Sequence, residues 1–249
     1  MSPVMYRDWL LGGVRVVVRP AAVCVPPGEY SGLFRLLPLV ALPLVVDNLS
    51  TSVTTSMYSQ FMSTPERLIE STRELLWERG YVGTSPKAIL ERAGVGQGSM
   101  YHHFKGKPEL ALAAIRRTAE ELRATAEEVL DGPGTPYERI EAYLRRERDV
   151  LRGCPVGRLT MDPDVIGSAE LRAPVDETLD AIRERLAGIV EEGKEQGQFR
   201  PELDGEEIAA TILATVQGGY VLARASGSPA AFDAGVRGLL SLLSPMSSR

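Results

Sequence analysis

Between Thr84 and Lys107 the chain gathers amide, hydroxyl, imidazole and ammonium groups at spacings suited to hydrogen bonding along a DNA groove. Gln97, Gly98 and Ser99 stand at the start of a short helical pattern. They are small or carry amide and hydroxyl groups, which suits a helix N-terminus aimed at base edges and phosphates. Tyr101, His102 and His103 follow, and Met100 and Phe104, four apart, would face the protein. The chemistry implied is recognition, with no bond made or broken. The His102–His103 pair is a poor metal site, because adjacent helical residues point about 100° apart whereas shared ligation wants i,i+4 spacing. Gly94, Gly96 and Gly98 lack the G-x-G-x-x-G spacing of a phosphate-binding turn, and no strand pattern precedes them. Cys154 as a nucleophile would need a nearby base, yet the only two histidines lie in this motif. Neither a catalytic set, a metal nor a cofactor is expected.

These groups need a helix-turn-helix to position them. Thr84 or Ser85 can cap a helix whose first turn tolerates Pro86, which lacks an N–H. Ala88, Ile89 and Ala93 fall at helical spacing, Lys87, Glu91 and Arg92 take the wet face, and Gly94 supplies the exit. After Val95 and Gly96, a helix from Gln97 to about Phe104 is too short to stand without packing on a neighbour.

From Pro65 to about Ile115 the sequence resembles the tetracycline-repressor (TetR) family of transcription regulators. The residues that carry the likeness are a helix Glu66–Arg79 ending at Gly80-Tyr81, Thr84-Ser85, Ala93-Gly94-Val95, Ser99 to Phe104, and Lys107. The resemblance implies that Gln97, Ser99, Tyr101, His102 and His103 lie against DNA while Ser85, Lys87 and Lys107 grip phosphate. Two positions depart from the family pattern: Gly96 stands where a Ser or Thr cap is common, and Pro108 where Glu or an alanine-like residue is common. Gly in place of a capping hydroxyl costs only about a few tenths of a kcal/mol.

Charge supports a selective binder. The whole chain is formally −5, which argues against indiscriminate coating of nucleic acid. From Ser63 to Arg116 there are eight Lys/Arg against six Asp/Glu; from Arg117 onward there are sixteen against twenty-four. The basic end is the helix-turn-helix end. Two cysteines, Cys24 and Cys154, in segments of different character give no disulfide framework, and a cytoplasmic location fits.

Beyond Lys107 the pattern is helix after helix, so the fold class is all-α: an N-terminal three-helix DNA-binding domain and a C-terminal helical ligand-binding and dimerisation domain. The expected helices are Pro108–Leu130, Pro136–Arg152 burying Ile140, Tyr143, Leu144 and Leu151, a short one around Arg158–Met161, a long one from about Leu171 to near Gly197, Gly205–Ala225 and Pro229–Leu243. The last two carry more apolar and small residues than one buried face requires. A dimer interface is therefore expected on Ile212, Gly219 and Leu222 and on Phe232, Val236 and Leu239, as a four-helix bundle with a second copy; ordinary core in a monomer is the rival. The turn Gly153–Gly157 resembles a branch of the family that answers to small, often aromatic molecules. An effector pocket is expected among Tyr143, Cys154, Met161 and Gln217.

The first sixty residues show no helical period. The apolar run Leu33–Val46 is interrupted by Pro38 and Pro43 and carries Arg35, and it falls short of the ~20 residues a membrane helix needs. We expect residues 1–61 to be a non-native or disordered extension with the true start at Met62, a DNA-binding domain over 62–110 and an effector and dimerisation domain over 111–249. On that reading Val46–Thr51 can be encoded by an inverted repeat, GTAGAC and GTCTAC about a short spacer, as the operator of a two-fold protein would be. The partners expected are double-stranded DNA, a small-molecule effector and a second copy of the chain, with no membrane. The rivals are a helical small-molecule-binding protein or enzyme, and a regulator tethered through its N-terminal segment.

Overall fold

The computed structural model describes residues 8–11, 14–17 and 62–244. The expected extension, including Leu33–Val46 and Val46–Thr51, lies outside the described residues, apart from a small antiparallel hairpin. There β1 (Asp8–Leu11) pairs with β2 (Val14–Val17), Asp8 opposite Val17 and Leu11 opposite Val14. The sequence reading had assigned no structure to this stretch, although Val14, Val16 and Val17 are residues that strands favour.

The part from Met62 onward is helical. In α1 (Thr64–Arg79), Glu66 reaches back to the Ser63 N–H at 2.9 Å. That hydrogen bond, with the Ser63 hydroxyl, holds the Glu66 carboxyl below the usual carboxylate range. Ser85 begins α2 (Pro86–Ala93), its Oγ accepting from the Ala88 N–H at 3.2 Å. The helix ends on Gly94 at φ 62°, a left-handed conformation that favours glycine, and the Val95 N–H returns to the Leu90 carbonyl at 3.2 Å. Arg67 of α1 donates to the Gly94 carbonyl at 3.1 Å, and Arg92 holds Glu78 through two 2.8 Å bonds. Thus the C-terminal end of α2 is fastened to both ends of α1. The turn leads into α3 (Gln97–His103), and α4 (Lys107–Leu130) follows.

Six buried residues, Leu68, Leu75, Ile89, Ala93, Met100 and Leu110, form the core of this head, with Val95 and Phe104 half-buried beside them. Leu110 belongs to that core, whereas Ala111, Leu112, Ala114 and Ile115 on the same helix belong to the larger core beyond. One continuous helix is therefore packed into both units.

In the body, α5 (Pro136–Arg145) starts on a Thr135–Glu138 capping box. A 3-10 turn (Gly157–Met161) and α6 (Pro163–Gly167) precede the long α7 (Ala169–Glu195), which packs against α4 and α8. After α7 the chain folds back so that Phe199 covers Gly193, where a Cβ would lie 2.3 Å from the Phe199 ring. The last helices, α8 (Gly205–Ser226) and α9 (Ala230–Leu243), pack on each other.

Two expectations are corrected here. Helix α5 stops at Arg145 rather than Arg152, and Leu151 is exposed rather than buried. The cause is Arg148, whose guanidinium turns back onto the Leu144 carbonyl at 2.9 Å and the Tyr143 carbonyl at 2.5 Å, satisfying acceptors that a continuing helix would have used. The second correction concerns the presumed interface. Ile212, Gly219, Phe232, Val236 and Leu239 are buried within a single chain, where α8 and α9 pack on each other and on α7. Of the six residues expected at the interface, only Leu222 is exposed, at 58%.

Candidate nucleic-acid interface and effector cavity

An α-helix with its side chains is about 10–12 Å across, which the roughly 12 Å wide major groove admits, and α3 offers seven residues to it. Met100 is fully buried and Phe104 half-buried, so the helix is anchored by its inner face. Gln97, Gly98, Tyr101, His102 and His103 are exposed and Ser99 is half-exposed. Tyr101 is 59% exposed although it is a large aromatic residue, and the His102 and His103 rings meet edge to face at 4.8 Å between centroids. No acidic side chain lies on α3 to repel phosphate.

At the start of α2, Ser85 and Lys87 are both exposed. The Ser85 oxygen is used as the helix cap, which leaves its O–H free to donate outward. Lys87 lies 3.8 Å from Glu91, a loose pair between well-solvated groups. Lys107 is placed differently. Its ammonium sits 3.8 Å above the Tyr81 ring, half-buried, and burial pushes its pKa down despite the opposing pull of Asp162 and Asp164. The structure thus brings Ser85, Lys87, Gln97, Ser99, Tyr101, His102 and His103 to exposed positions on α2 and α3 and tucks Lys107 under the turn after α1.

In the body, Cys154, Met161 and Gln217 line one cavity of about 430 Å³, together with Tyr220, Asp162 and Val82. Tyr143 does not line it: its ring is 2% exposed and lies beneath the guanidinium groups of Arg146 and Arg148. Cys154 is buried and accepts from the Gly157 N–H at 3.3 Å. Burial holds the Tyr220 phenol up at about 12.

Sequence reasoning missed the residues that fasten this region to the head. Asp162, 7% exposed, accepts from the Val82 N–H at 2.9 Å through one oxygen and from the Asp164 N–H at 3.2 Å through the other. Trp77 donates to the Gly153 carbonyl at 2.9 Å, and Arg152 stacks 3.6 Å over the Trp77 ring while pairing with Glu74 at 2.5 Å. Asp162 followed by Pro163 is a recognisable helix start, but its tie to residue 82 is set by tertiary packing and leaves no local signal.

Comparison with known proteins gives the arrangement a family. The description "Bacterial regulatory proteins, tetR family" matches residues 68–114, and "Tetracyclin repressor-like, C-terminal domain" matches 136–239. Together they span more than half of the chain. The HTH-type transcriptional regulator LmrA of Bacillus subtilis is 26% identical over 164 residues, covering 63% of this chain and 84% of the relative. The transcriptional regulator AcuR of Cereibacter sphaeroides is 26% identical, covering 64% and 75%. Among solved structures, a TetR transcriptional regulator from Chloroflexus aurantiacus matches with a TM-score of 0.67 at 29% identity, over 75% of this chain and 96% of that one. The fold, the helix-turn-helix and the sequence agree from one end of the described helices to the other, and the chain belongs to the TetR family of transcriptional regulators.

Proposed function

We propose that the chain is a cytoplasmic, ligand-responsive repressor that binds a palindromic operator as a dimer. One observation carries the DNA-reading assignment: α3 is anchored through Met100 and turns Gln97, Ser99, Tyr101, His102 and His103 outward together. These residues read bases or touch the backbone, Gln97 being the one whose amide can pair bidentately with adenine. Ser85 and Lys87 hold phosphate, and Lys107 joins them once its ammonium swings off Tyr81. The head ends near Leu110, where the buried residues of α4 pass from the small core to the large one.

The dimer forms through the outer face of the last two helices. Ala214, Gly218, Val221, Leu222 and Ala225 are exposed on α8 at helical spacing, and Ala234, Gly238 and Leu242 on α9. Val221, Leu222 and Leu242 are 67%, 58% and 79% exposed, a cost to a monomer that a second copy removes. Although α8 is long and apolar enough to cross a membrane, Ala209, Ile212, Val216, Tyr220 and Ala223 are spent on the core and the outer face is interleaved with small residues suited to helix contact.

The effector occupies the Cys154–Met161–Gln217 cavity. Val82, in the turn after α1 of the head, lines it, and Asp162 binds the Val82 amide, so a molecule seated there acts on the head's attachment. A ligand that fits one head placement better than another shifts the population between them and spoils the match to successive major grooves.

Selection from random duplexes by the full chain tests the assignment, with the natural DNA encoding residues 40–62 and a shuffled copy as further arms. An inverted repeat is expected. Gln97→Ala should relax one position in each half-site, costing roughly 1–3 kcal/mol there; an equal loss on every sequence would refute its reading role. Leu222→Glu should give monomers and lose the operator together, as sedimentation and binding would show.

A further inference from the structure

A second cavity, of about 260 Å³, opens between α1, α4 and residues 146–155. Trp77, Leu122 and Pro155 give it an apolar wall, and Arg146 and Arg148 enter from the segment after α5. Of the charged side chains that line it, Arg73, Glu74 and Glu121 are matched. Arg73 bonds Glu121 at 2.9 Å and Glu70 at 2.8 Å, and Arg152 takes Glu74. Arg146, like Arg148, makes no salt bridge among the described residues, and its Nε and Nη1 are buried with no acceptor. Glu147 and Asp149, at the rim, are exposed; Asp149 accepts from the Arg152 N–H, and neither pairs with Arg146. Arg148 satisfies the carbonyls that end α5, but its own Nε has no partner. The two guanidinium groups share one small support, the Tyr143 ring, at 5.0 and 5.3 Å.

Like charges crowded on one ring, with buried donors unmet, are costly unless something answers them. The local backbone gives no other reason for the arrangement. Residues 145–152 contain neither Gly nor Pro and consist mostly of good helix formers, yet the helix breaks at Arg146, whose ψ is 149°. A break against local preference marks a site where function overrides folding convenience.

We propose that this cavity binds an organic carboxylate, its oxygens taken by Arg146 and Arg148 and its apolar body lying along Trp77 and Leu122. A planar carboxylate matches a guanidinium fork, and each of the two forks of Arg146, Nε with Nη2 and Nη1 with Nη2, keeps a free donor, while the apolar wall excludes a bare inorganic anion as the best occupant. Because Trp77 and Arg73 belong to α1 and residues 146–155 to the body, the bound acid bridges head and body beside the Trp77–Gly153 hydrogen bond. This site adjoins the Cys154 cavity, with which it shares Gly153 and Tyr220, and does not depend on the operator assignment.

The test is the melting temperature of the full chain with 4-phenylbutyrate, its neutral amide 4-phenylbutyramide, or inorganic phosphate. The acid should raise Tm, and the amide and phosphate should do so far less. Arg146→Gln should raise Tm without ligand, since it removes an unmatched charge, and should weaken the acid by at least about tenfold. Arg146→Lys should restore part of that affinity, and far-UV circular dichroism checks that each variant is folded. Equal shifts from acid and amide, an acid preference that survives Arg146→Gln, or no acid shift together with an Arg146→Gln variant no more stable than wild type would each overturn the proposal. Equal shifts from phosphate and 4-phenylbutyrate would overturn its apolar half. DNA binding is read separately, so loss of the operator in any variant bears on repression and not on this site.

Discussion

The helix α3 and the segment after α5 are both short, polar and irregular in their packing, but they use polarity in opposite directions. In α3 a single buried side chain, Met100, supports a row of outward groups. In residues 146–152 the arginines turn inward, Arg148 onto carbonyls, Arg152 onto Trp77 and Arg146 into a cavity, while Glu147 and Asp149 stay exposed. A surface that meets DNA needs a rigid base and free donors. A surface that senses a small molecule needs enclosed groups whose partners are incomplete until the molecule arrives. The same difference separates the two cores, six buried residues under the head against a network running through every helix of the body.

If the head rests on so few contacts, breaking one of them should unfold it alone. Met100→Ala removes the only fully buried side chain of α3 and should cost about 2–5 kcal/mol. A urea titration followed by operator binding and by far-UV circular dichroism should then show DNA binding lost well before the body unfolds. Coincident transitions in the variant would mean that head and body form one cooperative unit, and the contrast drawn above would fail.

The body should be the more sensitive part to alkali. Burial lifts the Tyr220 phenol to about 12 and raises Tyr143 and Tyr137 as well. A raised phenol keeps its proton longer folded than unfolded, so its contribution to stability is complete below pH 10 and lost as pH rises through about 12. For Tyr220 the loss is about 2 kcal/mol, from two units at ~1.4 kcal/mol each with some allowance for its exposure. Tyr220→Phe should flatten the decline in Tm over that range without abolishing it, because Tyr143 remains. An unchanged slope would show that Tyr220 reaches water.

How far each region can be read from sequence follows from the same contrast. The head is legible because its signals are local: Ser85 and Pro86 begin a helix, Gly94 ends it, and the buried residues recur at helical spacing. The end of α5 is not, because it depends on Arg148 meeting carbonyls behind it and the Phe232 ring 5.7 Å away on α9. Nothing in Arg145–Arg152 announces that contact. The buried face of α8 is hard to read for a different reason. Helix α8 carries two apolar stripes, Ala209, Ile212, Val216, Tyr220 and Ala223 inward and Ala214, Gly218, Val221, Leu222 and Ala225 outward. Periodicity reveals both, but only the packing of α7 and α9 decides which faces in. Tyr143 is expected beside Cys154 as part of a mixed apolar and polar lining among the middle helices, and the break at Arg146 sends the two to different surroundings.

The smallest effect concerns Gly96, the residue where the sequence departs from the family's capped pattern. Its φ of −71° and ψ of 158° are open to any residue, and a Cβ there meets nothing within 4 Å, so neither strain nor crowding within the chain requires glycine. The Ser99 N–H already donates to the Gly96 carbonyl at 3.0 Å, so Gly96→Ser places a hydroxyl where it can accept from the Gly98 N–H, and should stabilise α3 by about a few tenths of a kcal/mol. Hydrogen exchange at Gly98 should slow by about twofold, with operator affinity changed by no more than about twofold. If exchange slows while affinity collapses, the open space beside Gly96 is occupied by DNA in the complex. The missing cap then belongs to the reading surface, and α3 trades its own stability for closer approach of its backbone to the groove.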